Sequence, residues 1–112
     1  MAKVIITKNL EKEIHKKFKK ESITIFELML NLESHPKKGK EIGTVGSIII
    51  KEIKCQKFRF YFITDKFKIK FLKSNELTDL IIKFVRMSDK KTQQRTINDI
   101  KQILKNIGRE GF

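Results

Sequence analysis

At 112 residues, 39% of them hydrophobic, the chain has material for one packed core and is short for two. Lys and Arg number 26 against 13 Asp and Glu, and the resulting net charge of +13 favours a polyanionic partner through steering and counterion release. A single cysteine, Cys55, excludes an intramolecular disulfide and the zinc sites built from paired thiolates, and no apolar run reaches the roughly 20 residues that span a bilayer.

Leu10, Ile14 and Phe18 recur at i, i+4 and i+8 among Glu and Lys, which predicts a surface helix over 10–20. Ser22 can cap a second helix whose face is Ile23, Phe26, Met29 and Leu30. It has to stop before His35-Pro36, because proline disfavours helical geometry in its predecessor. The segment HPKKGKEIGTVG, with the only proline and three of the five glycines, reads as a loop carrying Lys37, Lys38 and Lys40.

From Ser47 the period becomes that of strands. Residues 47–53 and 58–64 form a first pair, in which Phe58, Phe60 and Phe62 share one face and Arg59, Tyr61 and Ile63 the other. The connection through Lys54 and Lys57 lacks the Asn-Gly or Asp-Gly of a tight hairpin, which leaves the register open. Residues 66–72, KFKIKFL, alternate as a half-exposed strand with Phe67, Ile69 and Phe71 inward and a lysine row outward. A fourth strand runs from Leu77 or Leu80 to Arg86, with Leu80, Ile82, Phe84 and Arg86 on one parity; a helix over 76–85 is the rival assignment. Ser88 or Asp89 caps a long helix with Ile97, Ile100, Ile103, Leu104 and Ile107 on one stripe, ended by Gly108 before a short mobile tail.

The residues speak against several chemistries. His15 and His35 sit in different elements with no paired carboxylates at ligand spacing, so no metal or other cofactor is expected. GTVG lacks the following Lys-Ser/Thr of a phosphate-binding loop, and no nucleophile is paired with a histidine. Metal-free RNA cleavage remains open. Crowded lysines can act as bases there, while guanidinium groups such as Arg59 and Arg86 hold charge on the phosphorane. The start, MAKVIITKNLEKEIHKK, shows no secretory leader pattern, and no long helix sets a basic face against a broad aromatic one. A cytoplasmic protein without a membrane partner is expected.

The run LESHPKKGKEIGTVGSIIIKEIKCQKFRFYFITDKFKIKF resembles the centre of the RelE/ParE toxin superfamily, through His35-Pro36, Gly39 and Gly43, Lys51 with Lys54, Phe58-Arg59-Phe60-Tyr61 and Phe84-Val85-Arg86. The resemblance covers roughly residues 8–90. It implies a toxin that cleaves mRNA on the ribosome without metal, held in check by an acidic antitoxin. By position Arg59 matches the arginine of that family's YR strand, Arg86 the arginine after the last strand, and Lys51 and Lys54 its basic strand. Beyond Arg86 the chain reads MSDKKTQQRT, without the tyrosine or histidine that the nucleases commonly place there.

The expectation for 1–112 is thus one α+β domain: an N-terminal helical hairpin (about 9–34) packed on a four-stranded, mainly antiparallel twisted sheet (about 47–86), plus a long C-terminal helix (about 89–107). Lys51, Lys54, Arg59 and Arg86 are expected to be catalytic and Lys37, Lys38, Lys57, Tyr61 and Lys83 to contact RNA, all in one concave patch. The alternatives are a non-catalytic module that binds RNA or an acidic protein through the same cations, or a ParE-like inhibitor of gyrase.

Overall fold

The computed structural model describes residues 1–112. In chain order the elements are β1 (Lys3–Ile6), α1 (Lys8–Phe18), α2 (Ser22–Leu30), β2 (Lys40–Val45), β3 (Ile48–Cys55), β4 (Phe58–Asp65), α3 (Lys66–Phe71), β5 (Ile81–Asp89) and α4 (Gln93–Asn106). The strands make one five-stranded sheet in the order β1-β5-β4-β3-β2, with β1 parallel to β5 and the other neighbours antiparallel.

This mixed sheet overturns the expected four-stranded, mainly antiparallel one. Its outer strands were the ones invisible to pattern reading. β1 is four residues long and pairs with a segment nearly 80 residues away, from Lys3 opposite Ile81 to Ile6 opposite Phe84. β2 grows out of the glycine-containing stretch expected to be a loop. It is tolerated there because it is an edge strand with a bulge between Glu41 and Gly43. On the far edge, the Glu33 carboxylate accepts the Val4 N–H at 2.9 Å and covers part of β1's free side.

The strand expected over 66–72 is instead helix α3. The Asp65 carboxylate accepts the Lys68 N–H at 2.9 Å and caps the turn, while the Lys66 N–H reaches the Ser47 carbonyl. Winding into a helix reverses the expected faces: Ile69 turns inward, and Phe67 and Phe71, at i and i+4, turn out to solvent.

The helical hairpin is also corrected. Lys19, at φ 51°, breaks α1, and a single 3₁₀ turn (Lys19–Glu21) carries the chain directly into α2. Thr7 caps α1 through the Leu10 N–H at 3.4 Å. Ser22, expected as a cap, is the first residue of α2, and its hydroxyl donates to the Lys19 carbonyl at 2.5 Å. The buried face of α2 is Ser22, Ile25 and Met29, whereas Ile23 and Leu30 are exposed. The C-terminal helix is shorter than expected. Ser88 and Asp89 still belong to β5, and Asp89 spends its carboxylate on the Thr92 N–H and hydroxyl, at 2.9 and 3.0 Å, so α4 starts only at Gln93. The tail is not loose: Phe112 packs on the core beneath α4.

Two cores lie on opposite faces of the sheet. The first joins Leu10 and Ile14 of α1, Ile25 and Met29 of α2 and Ile69 of α3 to Ile49, Ile53, Phe60, Phe62, Ile82, Phe84 and Met87. The second is smaller, with Ile97, Ile100 and Leu104 of α4 on Ile48, Ile50, Tyr61, Ile63 and Val85. Burial on both faces explains why β3 opens with an uninterrupted isoleucine run. No helix is long and apolar enough to cross a membrane.

Candidate functional site

The β3–β4 hairpin closes in a two-residue turn in which Gln56 takes φ 57°, a conformation usually left to Gly or Asn; this is why the turn carried no sequence signature. The register pairs Lys54 with Arg59, Glu52 with Tyr61 and Lys51 with Phe62. Since side chains alternate, Glu52, Lys54 and Arg59 share the α4 face while Lys51 goes to the other.

Beyond the N-terminal end of α4, where edge strand β2 is just beginning, a cleft of about 550 Å³ opens, lined by Lys38, Gly39, Lys40, Glu52, Lys54, Arg59 and Gln93 and reaching Leu28 and Ile53 of the other face. Arg59 is 12% and Glu52 6% exposed, with Nε to Oε2 at 3.6 Å, and Gln93 Nε2 donates to the other Glu52 oxygen at 3.5 Å. Gly39 is required where it stands. Its φ is +108°, and a Cβ there would come within 3.0 Å of the Phe62 ring and 3.1 Å of the Glu52 carbonyl, so only glycine lets this loop press against the sheet. Gln93 is the first residue of α4, which brings the partial positive charge of a helix N-terminus to the same wall.

Around Lys54 and Arg59 the cleft continues into a second hollow of about 400 Å³ lined by Gln56, Lys57, Asp89, Lys90 and Lys91. Together the two carry seven cations against two carboxylates, and both carboxylates are engaged, Glu52 by Arg59 and Asp89 by Thr92. Hydrogen bonds from the Thr92 backbone and hydroxyl hold Asp89 below the usual carboxylate range. None of the cleft lysines is ion-paired; the molecule's other two pairs, Lys68–Asp79 and Lys70–Glu41, lie elsewhere.

The expected residues therefore divide. Lys38, Lys54, Lys57 and Arg59 come together here. Lys51 does not: it is 4% exposed on the opposite face, its ammonium donates to the Lys37 carbonyl at 2.9 Å and stands 6.0 Å from the Phe62 ring centre. Burial pushes its pKa down, against the attraction of Glu41 and with the help of Lys37. Lys37 lies with Lys38 on a separate depression. Tyr61 is fully buried and its hydroxyl meets Ser88 Oγ at 2.8 Å, which leaves it no edge to offer RNA; burial raises its pKa. Arg86 was expected on the Phe84 parity. The bulge opposite Tyr61 and Phe62 instead turns it onto the α4 face, where it donates to the Val85 carbonyl at 2.7 Å and lies 4.9 Å from the Phe112 ring centre. Lys83 reaches the Arg109 carbonyl at 3.3 Å. One concave patch holding Lys51, Arg59 and Arg86 is thus not formed.

Sequence reasoning missed Glu52, Gln93, Lys90 and Lys91. Strand parity alone could have found Glu52, which had to share a face with Lys54 and not with Lys51. Gln93, Lys90 and Lys91 depend on where the Asp89–Thr92 turn swings α4, which no local pattern reveals. No protein-family model, curated protein or solved structure matches this chain.

Proposed function

We propose that this protein is an RNA-binding module whose ligand phosphates lie in the cleft between Lys38, Lys40, Lys54 and Arg59 and its continuation to Lys57, Lys90 and Lys91. The observation that carries this reading is the convergence of seven cations on two hollows that share Lys54 and Arg59 and whose two carboxylates are already engaged. Glu52 pairs with the Arg59 Nε and accepts from Gln93 on its other oxygen, which holds Arg59 in the cleft wall, and the lysines supply mobile cations around it. Binding of this kind falls steeply with salt.

Fluorescence anisotropy with a labelled single-stranded oligoribonucleotide tests it over a series of KCl concentrations. The double variant Lys54→Ala/Lys57→Ala is expected to weaken binding and to flatten the log K against log salt plot by about 0.7 for each phosphate that is no longer neutralised. Arg59→Ala is expected to weaken binding by roughly tenfold or more, and Lys51→Met, on the far face, to leave it unchanged. Wild-type binding that ignores salt, or that survives the removal of Lys54, Lys57 and Arg59 together, overturns the reading.

A second reading is favoured by one feature, the Glu52 carboxylate beside Arg59 in the cleft floor. A carboxylate there can take the proton of a ribose 2′-hydroxyl as its oxygen bonds to the adjacent phosphorus, while Arg59 and Lys54 hold the phosphorane charge; the P–O5′ bond then breaks, the 5′-oxygen leaves with a proton from water, and a 2′,3′-cyclic phosphate remains. This replaces the four-residue set expected from the sequence, of which only Lys54 and Arg59 line the cleft. Incubation with ribosomes and mRNA, with mapping of cleavage ends, separates the two: Glu52→Gln should abolish cleavage and keep binding. Intact mRNA together with unaltered growth on expression removes both the nuclease and the toxin that the RelE/ParE resemblance implies. Inhibition of supercoiling by purified protein would instead direct the reading to gyrase.

A further inference from the structure

Helix α3 displays two phenylalanines to solvent, Phe67 at 62% and Phe71 at 71% exposure, with ring centres 5.1 Å apart and planes inclined by 39°. Their place is fixed from behind, because Ile69 is buried in the larger core and the Asp65 carboxylate caps the helix. Lys66, Lys68, Lys70 and Lys73 flank the pair along the chain; Lys68 is ion-paired with Asp79 at 3.6 Å and Lys70 with Glu41 at 3.7 Å, and Lys66 and Lys73 are not ion-paired. Exposed aromatic faces on a lysine-rich helix, with Lys66 and Lys73 free of carboxylates, match a ligand that offers flat π surfaces and negative charge in alternation, which is the chemistry of a nucleotide chain. A lipid surface suits the pair less well, since α3 has six residues and no broad apolar face.

The position agrees with this chemistry. Lys38 lines both the cleft and a neighbouring depression of about 490 Å³ that also holds His35, Lys37 and Ser74, and Ser74 follows Phe71 by three residues. The two hollows meet at Lys38, just before the edge strand β2, and the second reaches Ser74, three residues beyond α3 on the sheet's other face. We infer that Phe67 and Phe71 form a stacking platform for the bases of a single-stranded RNA whose phosphates continue into the cleft; the inference rests on the RNA-binding reading above.

Anisotropy titration of a labelled 12-nucleotide single-stranded RNA tests the platform with wild type, Phe67→Ala/Phe71→Ala, Phe67→Tyr/Phe71→Tyr and Lys54→Ala/Arg59→Ala, each checked for an unchanged circular dichroism spectrum. The alanine pair is expected to weaken binding by roughly tenfold or more with the salt dependence kept, and the tyrosine pair to restore it, because a base stacks on either ring. Alanine variants that bind as tightly as wild type, while Lys54→Ala/Arg59→Ala binds poorly, overturn the platform and leave the cleft reading intact. Wild type that does not bind the RNA at all overturns the cleft reading and the platform with it. A wild-type dimer in sedimentation equilibrium that the alanine pair dissociates, with RNA affinity unchanged, would assign the phenylalanines to a second copy and also overturn the platform.

Discussion

The two faces of the sheet treat the same kind of residue differently. On the face covered by α1, α2 and α3, the buried cluster has 17 members against eight under α4, so cover extends over β3 as far as Lys51 and beyond. A cation on that side is absorbed into the structure: Lys51 finds a carbonyl and an aromatic ring and is shut off from solvent. On the other face the single helix α4 stops at Gln93, and one residue along the strand the same β3 delivers Glu52, and then Lys54, to an open cleft. What a charged strand residue does is thus decided by how far the cover reaches, more than by its charge.

The largest expected effect probes the heavier face. Phe62→Ala removes a fully buried ring that packs on Phe84, with centres 4.9 Å apart, and should cost about 4 kcal/mol in urea unfolding. Ile100→Ala under α4 should cost less, about 3 kcal/mol, and a destabilisation equal to or above that of Phe62→Ala would break the ranking of the two faces. Tyr61→Phe leaves Ser88 Oγ buried without its partner and should cost about 1 kcal/mol near neutral pH. Burial chiefly holds the Tyr61 pKa above its ordinary value of 10.0, so the unfolded chain ionises first. The wild type then loses stability as pH rises past that value, and the deficit of Tyr61→Phe should narrow there.

The smallest effect sharpens the contrast at Lys51. Its folded pKa lies below the ordinary 10.5, so the charged form is disfavoured on folding and the cost is present while the unfolded lysine is protonated. Lys51→Met should raise the melting temperature by a few degrees near neutral pH. That gain should shrink as pH climbs from the depressed value towards 10.5, where the wild type is relieved of the charge. A melting temperature that falls on substitution would show that the bond to Lys37 outweighs the burial of the ammonium.

How much of this could be read in advance depends on the range of the interactions. The helical spacing of Leu10 and Ile14 and the alternation of Phe60 and Phe62 with Tyr61 and Ile63 are local, and the structure uses them as the patterns indicate. The α3 segment failed because KFKIKFL satisfies a strand period by composition, while Asp65 capping the first turn decides for a helix. β1 failed because four residues carry no period and their partner lies in β5. At the site, Lys54 and Arg59 were legible from the hairpin. Arg86 was not, because one bulge shifts its face, and Glu52 was overlooked although parity marked it.

The carboxylate that Glu33 lays along the outer margin of β1 bears on how the protein behaves when concentrated. One flank of the sheet already has part of its hydrogen-bonding capacity occupied, and the other is kinked at Glu41 and Gly43 and fringed by Lys40. Neither offers a long, straight template for a neighbouring molecule. Growth of fibrils by strand addition is therefore disfavoured at both edges, and concentrated stocks should remain dispersed for reasons additional to their mutual repulsion.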